Sequence, residues 1–163
     1  MKSSDEQRDF FCCPVIMGGA EFYIIWFSGD LDGVWTNSSS RLAIWRTEED
    51  VRAFALQQGI DISNERIKRY DFDLVAAFIS HGTDLSARDL LAAWNLFVDI
   101  AVSVDNVQFL YEEQKELDVY NHLFYLTGAA PVEGTNPDPL SSKDIEVVHK
   151  ILRQGLEMLK NQI

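Results

Sequence analysis

The segment from Ser86 to Val104 constrains the fold more than any other part of the chain. Its sequence, SARDLLAAWNLFVDIAVSV, is apolar around most of a helix, and such a helix is stable only when neighbouring elements cover it. Ser86 is followed three residues later by Asp89, which is a capping-box pattern and predicts where the helix begins. We therefore expect a central core helix surrounded by the rest of the protein.

Strand patterns lie before this helix. Residues 21–27, EFYIIWF, are rich in aromatic and β-branched side chains and predict one strand. RLAIW at 41–45 predicts a second strand, and either 60–62 or 66–70 could supply a third. Residues 1–9 are polar and charged, and we expect them to form a flexible tail.

Helix signals dominate the remainder. Thr47 is a capping residue followed by three acids, and Gly59 closes that pattern. Further helices are expected at 71–82 with Asp71 or Asp73 as cap, at 112–126, and from a cap at Ser142 to the C-terminal end, after a Pro- and Gly-rich connection over 128–142. Early strands and late helices predict an α+β fold, in which a small N-terminal antiparallel sheet packs against a mainly helical C-terminal half. Residues 10–163 are expected to form a single domain.

Charge excludes several classes of partner. The 163 residues include 26 acidic and 14 basic side chains, for a net charge of −12. A nucleic-acid-binding protein needs a basic surface, and an anionic membrane repels an acidic one. Residues 71–118 carry ten acidic and two basic side chains, which is two-thirds of the net charge. This concentration indicates either a solubilising helical face or a docking surface for a basic protein.

The N-terminal segment, the lengths of the apolar runs and the cysteines indicate the cellular compartment. No run approaches the roughly 18 apolar residues of a membrane span, and the acidic start does not resemble a secretory signal. The two cysteines, Cys12 and Cys13, are adjacent and cannot staple a fold together. We expect a cytoplasmic protein in which both cysteines are buried or half-buried apolar residues.

No motif in the sequence predicts catalysis or metal binding. Glu146 and His149 have the Glu-x-x-His spacing of di-iron proteins, but those sites need the motif twice with two further glutamates. DLDG at 30–33 resembles the start of a calcium loop, yet its twelfth position is Arg41 and a tight turn explains it equally well. Phosphate loops and nucleophile elbows are absent from the sequence. We predict no catalytic residue, metal, cofactor or small-molecule substrate.

Polar residues interrupt the central helix beside Trp94. Asn95 and Asp99 are four residues apart and share one stripe of the helix. They could mark the solvent edge of a nearly buried helix, or they could be partly buried and bond a neighbouring loop. We favour the second interpretation, in which both residues fix the fold.

The chain from 84 to 160 resembles the immunity proteins of contact-dependent growth inhibition and related polymorphic toxin systems. That group has a Leu-Leu-x-x-Trp-Asn-Leu-Phe-x-Asp helix, then a Tyr-x-x-Leu-Phe element, a Pro-containing loop and a closing Gly-Leu helix. The matching positions are Leu90, Leu91, Trp94, Asn95, Leu96, Phe97, Asp99, Tyr120, Leu123, Phe124, Pro131, Gly155 and Leu156. After the Leu-Phe step, where the group has Trp-Gly, this chain has Tyr125, Leu126, Thr127 and Gly128.

The resemblance implies a cytoplasmic, single-domain, non-enzymatic protein that binds a toxin domain and blocks its active site. Many such toxins are basic nucleases, so an inhibitor benefits from carboxylates placed where phosphates would lie. The expected toxin-facing carboxylates are Asp30, Asp32, Asp71, Asp73, Asp105, Glu112, Glu113, Glu116 and Asp118, with Tyr111 and Trp35 as aromatic anchors. The alternatives are a small metal-dependent or other enzyme, with His122 or His149 beside two carboxylates, and an acidic adaptor or chaperone for another basic protein.

Overall fold

Four strands of the N-terminal half form one sheet, and helices make up most of the remainder. The computed structural model describes residues 7–129 and 137–163, and about half of the chain is helical. The α+β expectation is therefore confirmed. Residues 1–6 of the predicted tail and residues 130–136 of the predicted connection, including Pro131, lie outside the described residues.

The sheet has the strand order β3-β2-β1-β4. Its strands are β1 (Asp9–Met17), β2 (Ala20–Ser28), β3 (Gly33–Val34) and β4 (Tyr70–Asp71). β1 with β2 and β2 with β3 are antiparallel, as expected, whereas β4 runs parallel to β1 because a long crossover precedes it.

Sequence patterns do not reveal strand β1, nor the short β3, whose Gly33 belongs to the expected turn. The predicted tail over residues 1–9 is too long, since Asp9 already pairs with Ser28. β1 contains Pro14, which is unusual in a strand that has neighbours on both sides. Cys13 is buried and Cys12 is half-buried, and both are free thiols, as expected.

Two of the other strand predictions are partly wrong. RLAIW at 41–45 does not form a strand; instead, Trp45 exchanges two backbone hydrogen bonds with Tyr23, at 2.8 and 2.9 Å. The strand predicted at either 60–62 or 66–70 corresponds to β4, which begins only at Tyr70. Within 60–62, Ile62 makes a single bridge to Phe10.

The helices follow their capping residues closely. The described residues contain α1 (Glu48–Gln58), α2 (Phe72–His81), α3 (Ala87–Ser103), α4 (Val107–Gln114), α5 (Leu117–Leu126) and α6 (Ser142–Gln162). Thr47, Asp71 and Ser86 cap α1, α2 and α3, as expected. The predicted helix over 112–126 is instead two helices that meet near Glu116, and Ser141 rather than Ser142 caps α6.

The sheet separates two apolar clusters. Side chains on one of its faces, including Cys13 and Val15, join the main core with α3, where Trp94 and Phe97 are fully buried. Ile25 on the other face packs with Val51 and other residues of α1. The prediction that α3 is the central helix is thus confirmed, because sheet residues and the helices α2, α4, α5 and α6 cover it.

Candidate functional site

The loop between β2 and β3, residues 29–32, is fixed against the C-terminal end of α3. The Ser103 hydroxyl accepts a hydrogen bond from the Val34 backbone N–H at 2.9 Å and donates one to the Asp99 carbonyl at 2.8 Å. Gly33 approaches so closely that an added Cβ would lie 2.8 Å from Ser103 Oγ and 2.7 Å from the Phe27 ring. A side chain at position 33 would force the Phe27 ring and the Ser103 hydroxyl to move, so glycine permits this close approach of β3 to α3.

The junction between α3 and α4 directly follows Ser103, the residue that holds this loop. Asp105 adopts a left-handed conformation with φ of 58°, which aspartate tolerates better than most side chains. Asn106 then caps α4, since its side-chain oxygen accepts from the Phe109 N–H at 3.0 Å. Val107 begins α4, and Tyr111 lies one turn later on the same side of that helix.

We use the name acidic corner for the exposed residues of these two segments, which are residues 30–32, Val102, Asp105, Val107 and Tyr111; the contact of Ser103 with Val34 joins the loop to the end of α3. Its four large apolar side chains are exposed: Leu31 by 73%, Val102 by 45%, Val107 by 67% and Tyr111 by 59%. Its three aspartates are also exposed, and among the described residues none of them forms an ion pair with lysine or arginine. Arg8 lies at the base of the loop: its Cγ would be 3.1 Å from a Cβ added to Gly29, and its guanidinium is 4.7 Å from the centre of the Phe27 ring.

Asp99 lies one helical turn before Ser103 on α3 and is partly buried. Its carboxylate accepts a hydrogen bond from Trp26 Nε1 at 2.8 Å, which joins α3 to β2. Burial raises the pKa of Asp99 to about 6, the Trp26 hydrogen bond opposes that shift, and the charge of Asp32 adds to it. The expectation that Asp99 is partly buried and bonded is confirmed, although its partner is a strand residue rather than a loop residue.

Asn95 differs from that expectation. It is exposed, and its side-chain oxygen accepts a hydrogen bond from the Tyr120 hydroxyl at 2.8 Å. Tyr120 also packs edge-on against Trp94, with ring centres 5.6 Å apart. Asn95 therefore ties α3 to α5 at the surface, as a structural contact rather than as a buried one.

We expect Asp99→Asn to stabilise the protein at neutral pH. Because the pKa of Asp99 is higher in the folded protein, at about 6, than its ordinary value of 3.8, the folded state binds this proton more tightly than the unfolded chain does. That stabilisation is complete at low pH and is lost as the pH rises from about 4 to about 6. Asparagine keeps an acceptor for Trp26 but cannot ionise, so above pH 6 we expect a gain of about 1–2 kcal/mol after allowing for solvent screening.

Urea unfolding of the parent and of Asp99→Asn across this pH range measures the effect. The difference in unfolding free energy should shrink towards pH 4. Asp118→Asn is the matched control, since Asp118 is an exposed carboxylate on α5. A constant difference between parent and Asp99→Asn at every pH would show that ionisation of Asp99 is not its cause.

Three carboxylates expected at the toxin-facing surface instead accept hydrogen bonds from other groups of this protein. Asp71 caps α2, and the Asp73 carboxylate accepts hydrogen bonds from the backbone N–H groups of Gly18 and Gly19, at 2.7 and 2.8 Å, in the β1–β2 turn. Glu113 is only 8% exposed and accepts from Trp94 Nε1 at 3.1 Å, so its assignment to a surface was wrong. The reason is the separate helix α4, which turns Glu113 towards α3.

Two more of the expected carboxylates are partly neutralised. Lys150 Nζ lies 3.3 Å from a Glu112 oxygen and 3.5 Å from a Glu116 oxygen. Lys115 also pairs with Glu112, at 3.4 Å, and these lysines lower the pKa of Glu112. Such exposed pairs contribute little stability, but they reduce the charge that these two glutamates present.

The remaining expected residues lie in different places. Asp118 is exposed on α5, whereas Trp35 lies on the opposite face of the sheet from α3. The Trp35 ring packs against Phe10 and Phe54, with centres 6.2 and 5.7 Å apart, beside an open groove of about 580 Å³ that Trp45 also lines. The fold therefore joins the loop of Asp30 and Asp32 to the end of α3 that precedes Asp105, puts Tyr111 farther along on α4, and places Trp35 on the other face of the sheet.

The histidines and cysteines make ordinary structural contacts. His122 Nδ1 lies 3.3 Å from the Asp144 carboxylate and Nε2 lies 2.6 Å from the Asp138 carbonyl, while His149 packs edge-on against Phe78. Burial raises the pKa of Cys12 to about 11 and that of Cys13 to about 12, so both remain protonated thiols at neutral pH. Within residues 7–129 and 137–163, no three His, Cys, Asp or Glu side chains group to hold a metal ion.

Comparison of the chain with family models, with curated proteins and with solved structures gave no match. In the part of the chain that the structure describes, no helix has both the length and the apolar character required to span a membrane.

Proposed function

We propose that this chain is a non-enzymatic, cytoplasmic immunity protein that binds a basic bacterial toxin domain and covers its active site with an acidic surface. The observation that carries the proposal is the acidic corner. There, three exposed aspartates without a described ion pair surround exposed apolar side chains. Protein interfaces combine these features, since apolar contacts supply affinity and charges supply steering and selectivity.

The charge of the chain suits a nuclease as the target. An enzyme that cleaves RNA or DNA grips phosphates with lysine and arginine. A net charge of −12 attracts such a domain at long range. At close range, the carboxylates of Asp30, Asp32 and Asp105 would occupy the places that phosphates take in the substrate complex, which blocks access without any chemical step.

The resemblance to immunity proteins of contact-dependent growth inhibition rests mostly on residues of the core. In its most specific stretch, 94–97, Trp94 and Phe97 are fully buried in α3 while Asn95 is exposed, and Gly155 of α6 packs directly against Phe97. Residues of this kind specify a scaffold rather than an active site. A shared scaffold with different surface loops is what inhibitors of different toxins would need.

Co-expression tests the proposal. The probe is the C-terminal domain of the protein encoded immediately upstream, expressed in bacteria with and without this chain. We expect the domain alone to stop growth and this chain to restore it. A domain that is harmless alone, yet binds, would replace immunity with an adaptor role, and a toxic domain that this chain does not relieve would overturn the proposal.

A further inference from the structure

The exposed apolar side chains of the protein are unevenly distributed. Ten large apolar residues are exposed in the described part of the chain, and four of them, Leu31, Val102, Val107 and Tyr111, lie on the acidic corner. Single exposed apolar residues are common and need no explanation. A group of them on one surface, surrounded by polar residues, marks an interaction site.

Leu31 is the most exposed of the four and lies between Asp30 and Asp32. A tight turn favours aspartate and glycine for their backbone conformations, and neither preference accounts for a leucine at its tip. The hydrogen bond from the Val34 N–H to Ser103 and the close fit of Gly33 hold the end of the loop against α3. Because the end of the loop is already fixed, its backbone loses little conformational entropy when Leu31 binds a partner.

We propose that Leu31, Val102 and Val107 form the apolar anchor of the interface, and that the partner presents an apolar pocket ringed by lysine and arginine. In this arrangement Leu31 enters the pocket, while Asp30, Asp32 and Asp105 meet the basic ring. The inference rests on the proposed function and adds to it the contact residues and the kind of surface that the toxin domain must carry.

Charge decides between possible occupants of this surface. A second copy of the chain would place the aspartates of one acidic corner near those of another, and such like-charge contacts cost several kcal/mol. An anionic membrane would repel the same carboxylates. A basic protein surface gains from both the apolar and the acidic residues, so it is the occupant that fits.

Alanine substitutions test the anchor. We expect Leu31→Ala and Val107→Ala each to weaken binding of the upstream-encoded toxin domain by about tenfold or more, as hot-spot residues do. Leu56→Ala is the matched control, because Leu56 is 82% exposed on α1, across the sheet from α3. The control should change the Kd by less than about twofold. All three side chains are exposed, so the variants should keep the thermal unfolding temperature of the parent within a few degrees.

The outcomes separate this inference from the proposed function. Tight binding by the parent with equal Kd values for Leu31→Ala, Val107→Ala and Leu56→Ala would overturn the anchor and leave the immunity role in place. Failure of the parent to bind the domain would overturn both. A selective loss at Leu31 and Val107, with the salt dependence of binding unchanged, is the result that the anchor predicts.

Discussion

Gly155→Ala is expected to destabilise the protein by about 2–3 kcal/mol, although alanine is the better helix former by about 1 kcal/mol. Gly155 lies in the middle of α6, where an added Cβ would be 2.2 Å from Phe97 Cδ2 and 2.4 Å from Phe97 Cγ. Phe97 cannot easily yield, because it is fully buried and stacks on Phe72 with ring centres 4.9 Å apart. The substitution therefore overfills the contact between α3 and α6.

Urea unfolding measures this cost, and a second substitution identifies its origin. Phe97→Leu in the Gly155→Ala background removes the clashing ring, so the two changes together should cost less than the sum of their separate effects. Arg153→Ala, on the exposed side of α6, is the control for helix propensity and should have an effect within about 0.5 kcal/mol. Stabilisation by Gly155→Ala would contradict the close packing of α3 against α6.

Reversing two charges of the acidic corner and removing the third is expected to slow association with the proposed toxin partner by about 10²–10³-fold, within the range attributed to electrostatic steering. The variant combines Asp30→Lys, Asp32→Lys and Asp105→Asn. Asparagine is chosen at position 105 because it tolerates the left-handed conformation there. These aspartates have no described cation partner, and the one hydrogen bond lost is the long contact of 3.4 Å from the Gly29 N–H to the Asp32 carboxylate, so the cost to folding should be small.

A second triple variant controls for net charge. Glu49→Lys, Asp61→Lys and Asp84→Asn make the same change in total charge at exposed positions away from the acidic corner. Stopped-flow association rates at low ionic strength compare the two variants. We expect the control to slow association by less than about tenfold. Equal slowing by both variants would mean that total charge, rather than the acidic corner, attracts the partner.

Local signals predicted the helical part of the fold well. Thr47 and Ser86 begin helices because their hydroxyls accept from backbone N–H groups three residues later. The apolar character of α3 predicted its burial, because a helix that is apolar on most sides is stable only when neighbouring elements cover it. β1 could not be predicted, because its pairing with β2 and β4 depends on tertiary contacts rather than on the propensity of its own residues.

The site was predictable in composition but not in arrangement. Acidic residues at 30, 32 and 105 are visible in the sequence, yet their proximity depends on Ser103 joining segments that are 69 residues apart. The orientation of α4 was equally hidden, and it decides that Glu113 is buried while Tyr111 is exposed. The leucine between Asp30 and Asp32 is the one local signal that could have indicated an interface.

The decisive measurement is a calorimetric titration of this chain with the domain encoded immediately upstream, the proposed toxin, at about 50 mM and about 500 mM salt. We expect a one-to-one complex with a Kd in the nanomolar range or below at low salt, weakening clearly at high salt as its charge pairs are screened. The absence of binding at both salt concentrations would contradict the immunity role, and tight binding that ignores salt would contradict the acidic interface.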